Sequence, residues 1–137
     1  MGHIDRPPYV VDASAVIALL RDEPGAAEVE RALAAVDTTD PTAALISTVN
    51  LAEVHQALGP ELPASLIGEV DSVIRPAAFS ATHARGAAAL REPTRDLGLS
   101  LADRACLALA RSLDLTVLTA DRPWARADVG VEIRLIR

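Results

Sequence analysis

The chain has 137 residues, half of them hydrophobic, and a formal net charge of −6. That length suits one domain with a substantial core, and the hydrophobic share excludes a disordered chain. The acidic balance and an aromatic share of 2% weigh against nucleic acid, which ordinarily meets a basic surface and aromatic stacking platforms.

No run of about 18 apolar residues is free of charge or proline, so no membrane span is expected. The opening Met1-Gly2-His3-Ile4-Asp5-Arg6 lacks the long apolar stretch of a secretory signal, so none is expected, and no function is read from these residues. The single cysteine, Cys106, has no internal disulfide partner and sits in an apolar helical stretch. It reads as a core residue of a chain in a reducing, cytoplasmic setting.

Tyr9-Val10-Val11 predicts a short buried strand, followed by a helix from about Ala13 to Leu20. Asp22-Glu23-Pro24-Gly25 punctuates the chain before a second helix from Ala26 to Val36, and the polar segment Asp37 to Pro41 predicts a loop. Ala44-Leu45-Ile46-Ser47 reads as a second strand leading into a helix through Leu58. Gly59-Pro60-Glu61-Leu62-Pro63 breaks that helix, and another runs through about Val70. A third strand is expected near Val73 to Phe79 despite Pro76. Ser80 to Leu97 is helical by composition, with an interruption at Pro93, and Leu101 to Leu113 is the most apolar helix. Thr116 to Thr119 reads as a buried fourth strand and Val131 to Ile136 as a short final one. This alternation predicts a single α/β domain over residues 1–137, with a mainly parallel sheet.

Four carboxylates hold informative places on that scaffold. Asp12 ends the first strand and Asp121 follows the fourth, at the carboxyl strand ends where open α/β sheets bind ligands. Glu53 and Asp103 lie early in the helices after the second strand and after Ser100. A local reading competes for each. Asn50 with Glu53, and Ser100 with Asp103, have the spacing of an N-cap followed by an acid three residues on. Asp12 suits a helix cap and Asp121 a turn. At helical spacing, however, Asp103 shares a face with Cys106, Leu107 and Ala110, where a carboxylate needs solvent, a counter-charge or a metal. Glu53 has Val49 and Ala57 four residues to either side. An oxygen-only, carboxylate-rich set suits Mg²⁺, with Mn²⁺ as the alternative. His3, His55 and His83 have no metal-ligand spacing, which disfavours zinc.

Asp12-Ala13-Ser14 after the opening strand, Asn50-Leu51-Ala52-Glu53-Val54, Leu101-Ala102-Asp103 and Leu118-Thr119-Ala120-Asp121 come in that order in a short chain. In this the sequence resembles PIN-domain ribonucleases, specifically the short VapC-type toxins of bacterial toxin–antitoxin pairs. The resemblance covers essentially the whole chain. It implies a three-layer α/β/α sandwich, usually dimeric, with Asp12, Glu53, Asp103 and Asp121 as the metal-binding catalytic acids and Ser14 and Thr119 bracing the pocket. It also implies metal-dependent hydrolysis of RNA phosphodiesters and a cognate antitoxin whose basic or amphipathic segment covers the groove. Asp12 and Asp103 are expected as direct ligands, with Glu53 on the ion or on a water bound to it. Asp121 completes a second site or orients a hydrated ion. Arg104 and Arg122 are expected phosphate contacts, with Arg21 and Arg126 as weaker ones. Trp124 is expected to pack.

Two other readings compete. A phosphatase of the haloacid-dehalogenase type also has an aspartate after its first strand. It needs a second acid where this chain has Ser14, and a lysine, of which there is none. A PIN-like interaction module would bind metal or a basic partner without turnover; metal-dependent cleavage of RNA separates it from a nuclease.

Overall fold

The computed structural model describes residues 8–36, 40 and 44–137. The first strand, β1 (Tyr9–Val11), is buried along its whole length and passes directly into α1 (Ala13–Arg21). A tight turn leads to α2 (Ala26–Ala34). Gly25 makes this turn possible. Its φ of 98° lies in the left-handed region, and a Cβ there would stand 2.8 Å from Ile136 Cγ1 and from the Ile136 carbonyl oxygen. The loop expected over Asp37 to Pro41 lies, but for Asp40, outside the described residues.

Next come β2 (Ala44–Ser47) and α3 (Thr48–Leu58), then a 3₁₀ turn at Gly59–Glu61 and α4 (Ala64–Val73). β3 (Arg75–Ala77) is shorter than the expected Val73 to Phe79, because α4 runs on to Val73 and Ile74 caps it. Pro76 is accommodated because β3 is an edge strand, with only β2 beside it. The helix expected from Ser80 stops early as α5 (Ala81–Ala89). Turns follow, and the chain resumes helical form as a 3₁₀ segment at Arg95–Leu97, beyond Pro93. Buried Thr94 closes the break: its backbone N–H and its hydroxyl both donate to the Leu90 carbonyl. The fold is completed by α6 (Leu101–Leu113), β4 (Thr116–Thr119), a 3₁₀ turn at Arg122–Arg126 and β5 (Ile133–Leu135).

The five strands form one parallel sheet in the order β3-β2-β1-β4-β5. Alternate side chains of the central strands feed two separate cores. Tyr9, Val11, Ile46 and Leu118 pack with Ala15, Val16 and Ala18 of α1, Val29 of α2 and Val54 and Leu58 of α3. Val10, Leu45 and Val117 face the other way, against Leu90, Cys106, Leu107 and Trp124. This is why the central strands read as unbroken apolar runs: both faces of the sheet are covered. The result is a three-layer α/β/α sandwich. Among the described residues, no helix is long and apolar enough to cross a membrane.

The order also fixes where a site forms. From β1 the chain steps outward to β2 and β3 on one side, then returns to β4 and β5 on the other. The crevice above the carboxyl ends of β1 and β4 lies at this reversal, where doubly wound sheets bind their ligands.

Candidate metal centre

β1 and β4 are in register, with Val11 opposite Leu118, and the Asp12 N–H extends the ladder by donating to the Leu118 carbonyl at 2.9 Å. The chain then turns into α1 with Asp12 as the N-cap residue, but the Asp12 carboxylate caps nothing. Asp12 Oδ2 instead accepts from Ser14 Oγ at 2.6 Å and Thr119 Oγ1 at 2.9 Å. Both hydroxyls carry a second load. Ser14 Oγ accepts from the Ala120 N–H at 2.9 Å and Thr119 Oγ1 from the Asp121 N–H at 3.0 Å. Four hydrogen bonds thus tie Asp12 to the backbone that presents Asp121.

The two helix-borne acids arrive differently. Asp103 sits in a full capping box: its Oδ2 accepts from the Ser100 N–H at 2.9 Å, while its own N–H donates to Ser100 Oγ. The local reading of Asp103 therefore holds, and it holds together with a place in the site. The matching expectation for Asn50 and Glu53 is corrected. Ser47, at the end of β2, caps α3 by accepting from the Val49 N–H, so Asn50 lies inside the first turn. Asn50 Nδ2 donates to Glu53 Oε1 and to the Ala102 carbonyl, each at 3.0 Å.

Asp12, Glu53, Asp103 and Asp121 all line one cavity of about 470 Å³, together with Ser14. Ile17, Gln56 and Ala57 line it too, and the sequence reading assigned none of them to the site. Gln56 stands one helical turn beyond Glu53 on α3, and that i+3 spacing was the available signal. Thr119 is buried beneath the cavity, holding Asp12.

The electrostatics follow from burial. Asp12 is 4% exposed, and desolvation pushes its carboxyl up to about 6, against the lowering pull of the Ser14 and Thr119 hydroxyls. Repulsion from Asp103 and Glu53 adds to the rise. Those carboxylates and Asp12 also push up the Cys106 thiol, already raised by complete burial, so Cys106 is a protonated core residue.

The donor set fits a hard divalent ion. It is all oxygen, and its most buried member, Asp12, lacks a counter-charge. Among the described residues, no three acids, imidazoles or thiolates are drawn together as a ready-made ligand set. The four carboxylates are related by the cavity they share, not by close approach to one another.

The arginines stand elsewhere. Arg104 Nη1 donates to the Ala87 carbonyl and its Nε is buried, so this guanidinium fastens α6 to α5 and is not aimed into the cavity. In this position Arg104 is not among the residues that line the cavity. Arg122 Nη1 donates to the Arg137 carbonyl, and Arg21 bridges the Ala57 carbonyl and Glu61; like Arg126, neither lines the cavity. Trp124 is wholly buried in the core, as expected. His83 bonds the Ala78 carbonyl and Ser112 and His55 is exposed, both outside the site, while His3 lies outside the described residues.

Comparison with known proteins places this geometry. The chain is similar in structure to a toxin–antitoxin complex from Klebsiella pneumoniae, with a TM-score of 0.72, 22% identity and coverage of 95% of this chain and 98% of that one. It is similar to FitAcB from Neisseria gonorrhoeae at a TM-score of 0.69 and 21% identity, covering 94% and 98%. It is similar to the sarcin-ricin loop cleaving toxin VapC20 of Mycobacterium tuberculosis at 0.68 and 18% identity, covering 91% and 99%. At these identities the likeness is one of fold. No curated protein matches the chain in sequence. The family model of the PIN domain matches residues 9–130, from the first strand past all four carboxylates, and the chain belongs to the PIN domain family.

Proposed function

We propose that this chain is a divalent-metal-dependent endoribonuclease, the toxin component of a type II toxin–antitoxin pair. The observation that carries the reading is the convergence of Asp12, Glu53, Asp103 and Asp121 on one cavity at the carboxyl edge of the sheet, in a chain of the PIN family. Asp12 and Asp103 would hold the ion directly, Glu53 would hold it or a water on it, and Asp121 would complete a second site or orient a hydrated ion. Bound Mg²⁺, or Mn²⁺ in its place, would polarise the scissile phosphate and make water a competent nucleophile near neutral pH.

The protein's own part is geometric and electrostatic. Ser14 and Thr119 keep the Asp12 carboxylate aimed into the cavity by donating to one of its oxygens, and through Ala120 and Asp121 they fix β1 against the turn after β4. The Ser100 cap locks Asp103 at the mouth of α6. No side-chain nucleophile is needed, and Cys106 is unfit to be one.

RNA as substrate, a homodimer in the cytoplasm and a cognate antitoxin as partner belong to the same reading. Support for the antitoxin comes from the toxin–antitoxin complex among the similar folds and from the acidity of the cavity. An antitoxin arginine entering it would form charge-assisted hydrogen bonds with the carboxylates that the metal needs.

The test is cleavage of a panel of structured and single-stranded RNAs by the metal-free chain, with Mg²⁺, Mn²⁺ or EDTA added. Cleavage that appears with the ions and stops with EDTA is expected. Cleavage that persists in EDTA, or Mn²⁺ binding without cleavage of any RNA, would overturn the nuclease reading, the second outcome in favour of a binding module.

A further inference from the structure

Asn50 is fully buried in the first turn of α3, yet its amide reaches out of its own helix. The Nδ2 group donates to Glu53 Oε1 and to the Ala102 carbonyl, both at 3.0 Å. Ala102 directly precedes Asp103 in the first turn of α6. One NH₂ group therefore refers acids on two different helices to a common point. Its orientation is dictated: turned over, the amide would set Oδ1 against a carboxylate and a carbonyl, two acceptors. As it stands, Oδ1 is buried with no partner among the described residues, a cost that an apolar side chain of similar size would avoid.

We propose that Asn50 is the positioning residue of the metal centre. It holds one Glu53 oxygen and the N-terminal turn of α6 in fixed relation, so that Glu53 and Asp103 meet a divalent cation already spaced to receive it. This inference rests on the metal-dependent reading above. Without Asn50, Glu53 would keep its charge but regain its rotamers, and the ion would have to order both helices' carboxylates as it binds.

The test compares Asn50→Leu, which keeps the forked outline of the side chain with some added bulk and removes both donors and the orphaned oxygen, with Val54→Ala, which opens a core cavity on the same helix without replacing a carboxylate. Mn²⁺ affinity is measured by calorimetry and stability by thermal unfolding in EDTA. Asn50→Leu is expected to melt near the wild-type temperature and to bind Mn²⁺ about 10- to 100-fold more weakly. RNA cleavage by this variant should be lost at limiting Mn²⁺ and recovered at excess. Val54→Ala should melt lower with Mn²⁺ affinity unchanged. Wild-type Mn²⁺ affinity in Asn50→Leu, or an equal loss of affinity in Val54→Ala, overturns the positioning role and leaves the nuclease reading standing. Failure of the wild-type chain itself to bind Mn²⁺ overturns both, and is told apart by its arm of the experiment. Should Asn50→Leu not fold, Asn50→Thr replaces it: one hydroxyl can serve only one of the two acceptors, so an intermediate loss is expected and wild-type affinity refutes the inference.

Discussion

Asp12→Asn should stabilise the metal-free protein at neutral pH while destroying the proposed metal site. The folded-state carboxyl is pushed from 3.8 to about 6, chiefly by burial. A carboxyl with a higher pKa in the folded than in the unfolded chain keeps its proton preferentially when folded, so stability falls as pH rises from about 4 to 6. The penalty is complete above that window and absent below it. Two pKa units at about 1.4 kcal/mol each give roughly 3 kcal/mol, and at 4% exposure solvent offers little relief. An asparagine amide in this place carries no charge to desolvate. Urea unfolding in EDTA from pH 4 to pH 7 should therefore show a gap between variant and wild type that widens with pH, by about 2–3 kcal/mol in favour of the variant. Excess Mn²⁺ should close the gap by stabilising the wild type alone, by about 2.7 kcal/mol at a hundred times its dissociation constant. A gap that stays flat across the pH range would refute burial of an unpaired carboxylate as the source of strain in this site.

Asp103 serves both its helix and the site, and two substitutions separate the roles. Asp103→Asn keeps an oxygen to accept from the Ser100 N–H, so stability should stay within about 0.5 kcal/mol while metal-dependent RNA cleavage is abolished; Asp103→Ala should lose cleavage and about 1 kcal/mol besides, read by urea unfolding. Gly25→Ala would force a Cβ to 2.8 Å from Ile136 at a φ of 98°, and should cost about 1–3 kcal/mol in the same assay with cleavage per folded molecule unchanged.

How much of this could be read from the chain depended on whether the deciding contact was local. β1, β2 and β4 were legible because burial on both faces writes them as unbroken apolar runs. β3 was placed but not bounded: at a sheet edge, three residues including Pro76 carry no alternation, and the apolar Val73 and Ile74 suit a helix end as well as a strand. The stop of α5 at Ala89 was hidden because Gly86 to Leu90 is helical by composition; what ends it is a turn closed by Thr94 on the Leu90 carbonyl. Asp12 and Asp121 stood out by ending strands. Glu53 and Asp103 stayed ambiguous between cap and ligand, since a capping box and a metal ligand use the same residue at the same spacing. The role of Asn50 was beyond local reading, because its second acceptor lies 52 residues away on α6. The places of Arg104 and Arg122 outside the cavity lining were equally beyond local reading. Adjacency of Arg104 to Asp103 in sequence suggests a shared site, but successive helical residues point about 100° apart, and Arg104 turns to the Ala87 carbonyl.

The charge that counts against RNA in the composition becomes, in the structure, an order of events for the proposed function. Four carboxylates line the cavity and, among the described residues, no arginine joins them. Asp12 is already raised by burial and by the charges of Asp103 and Glu53, so a phosphodiester brought to this cavity without cations would add one more negative charge to a group of unpaired ones. A divalent ion reverses the local field and gives the phosphate something to bind. In the proposed function, metal would therefore load before, or together with, the RNA. A basic segment from an antitoxin would meet the same unpaired carboxylates and neutralise them equally well, while offering no polarised water and no free place for phosphate. Activation and inhibition in the proposed function would then draw on a single property: negative charge, buried at Asp12 and partly covered at the other three acids, that no arginine lining the cavity neutralises.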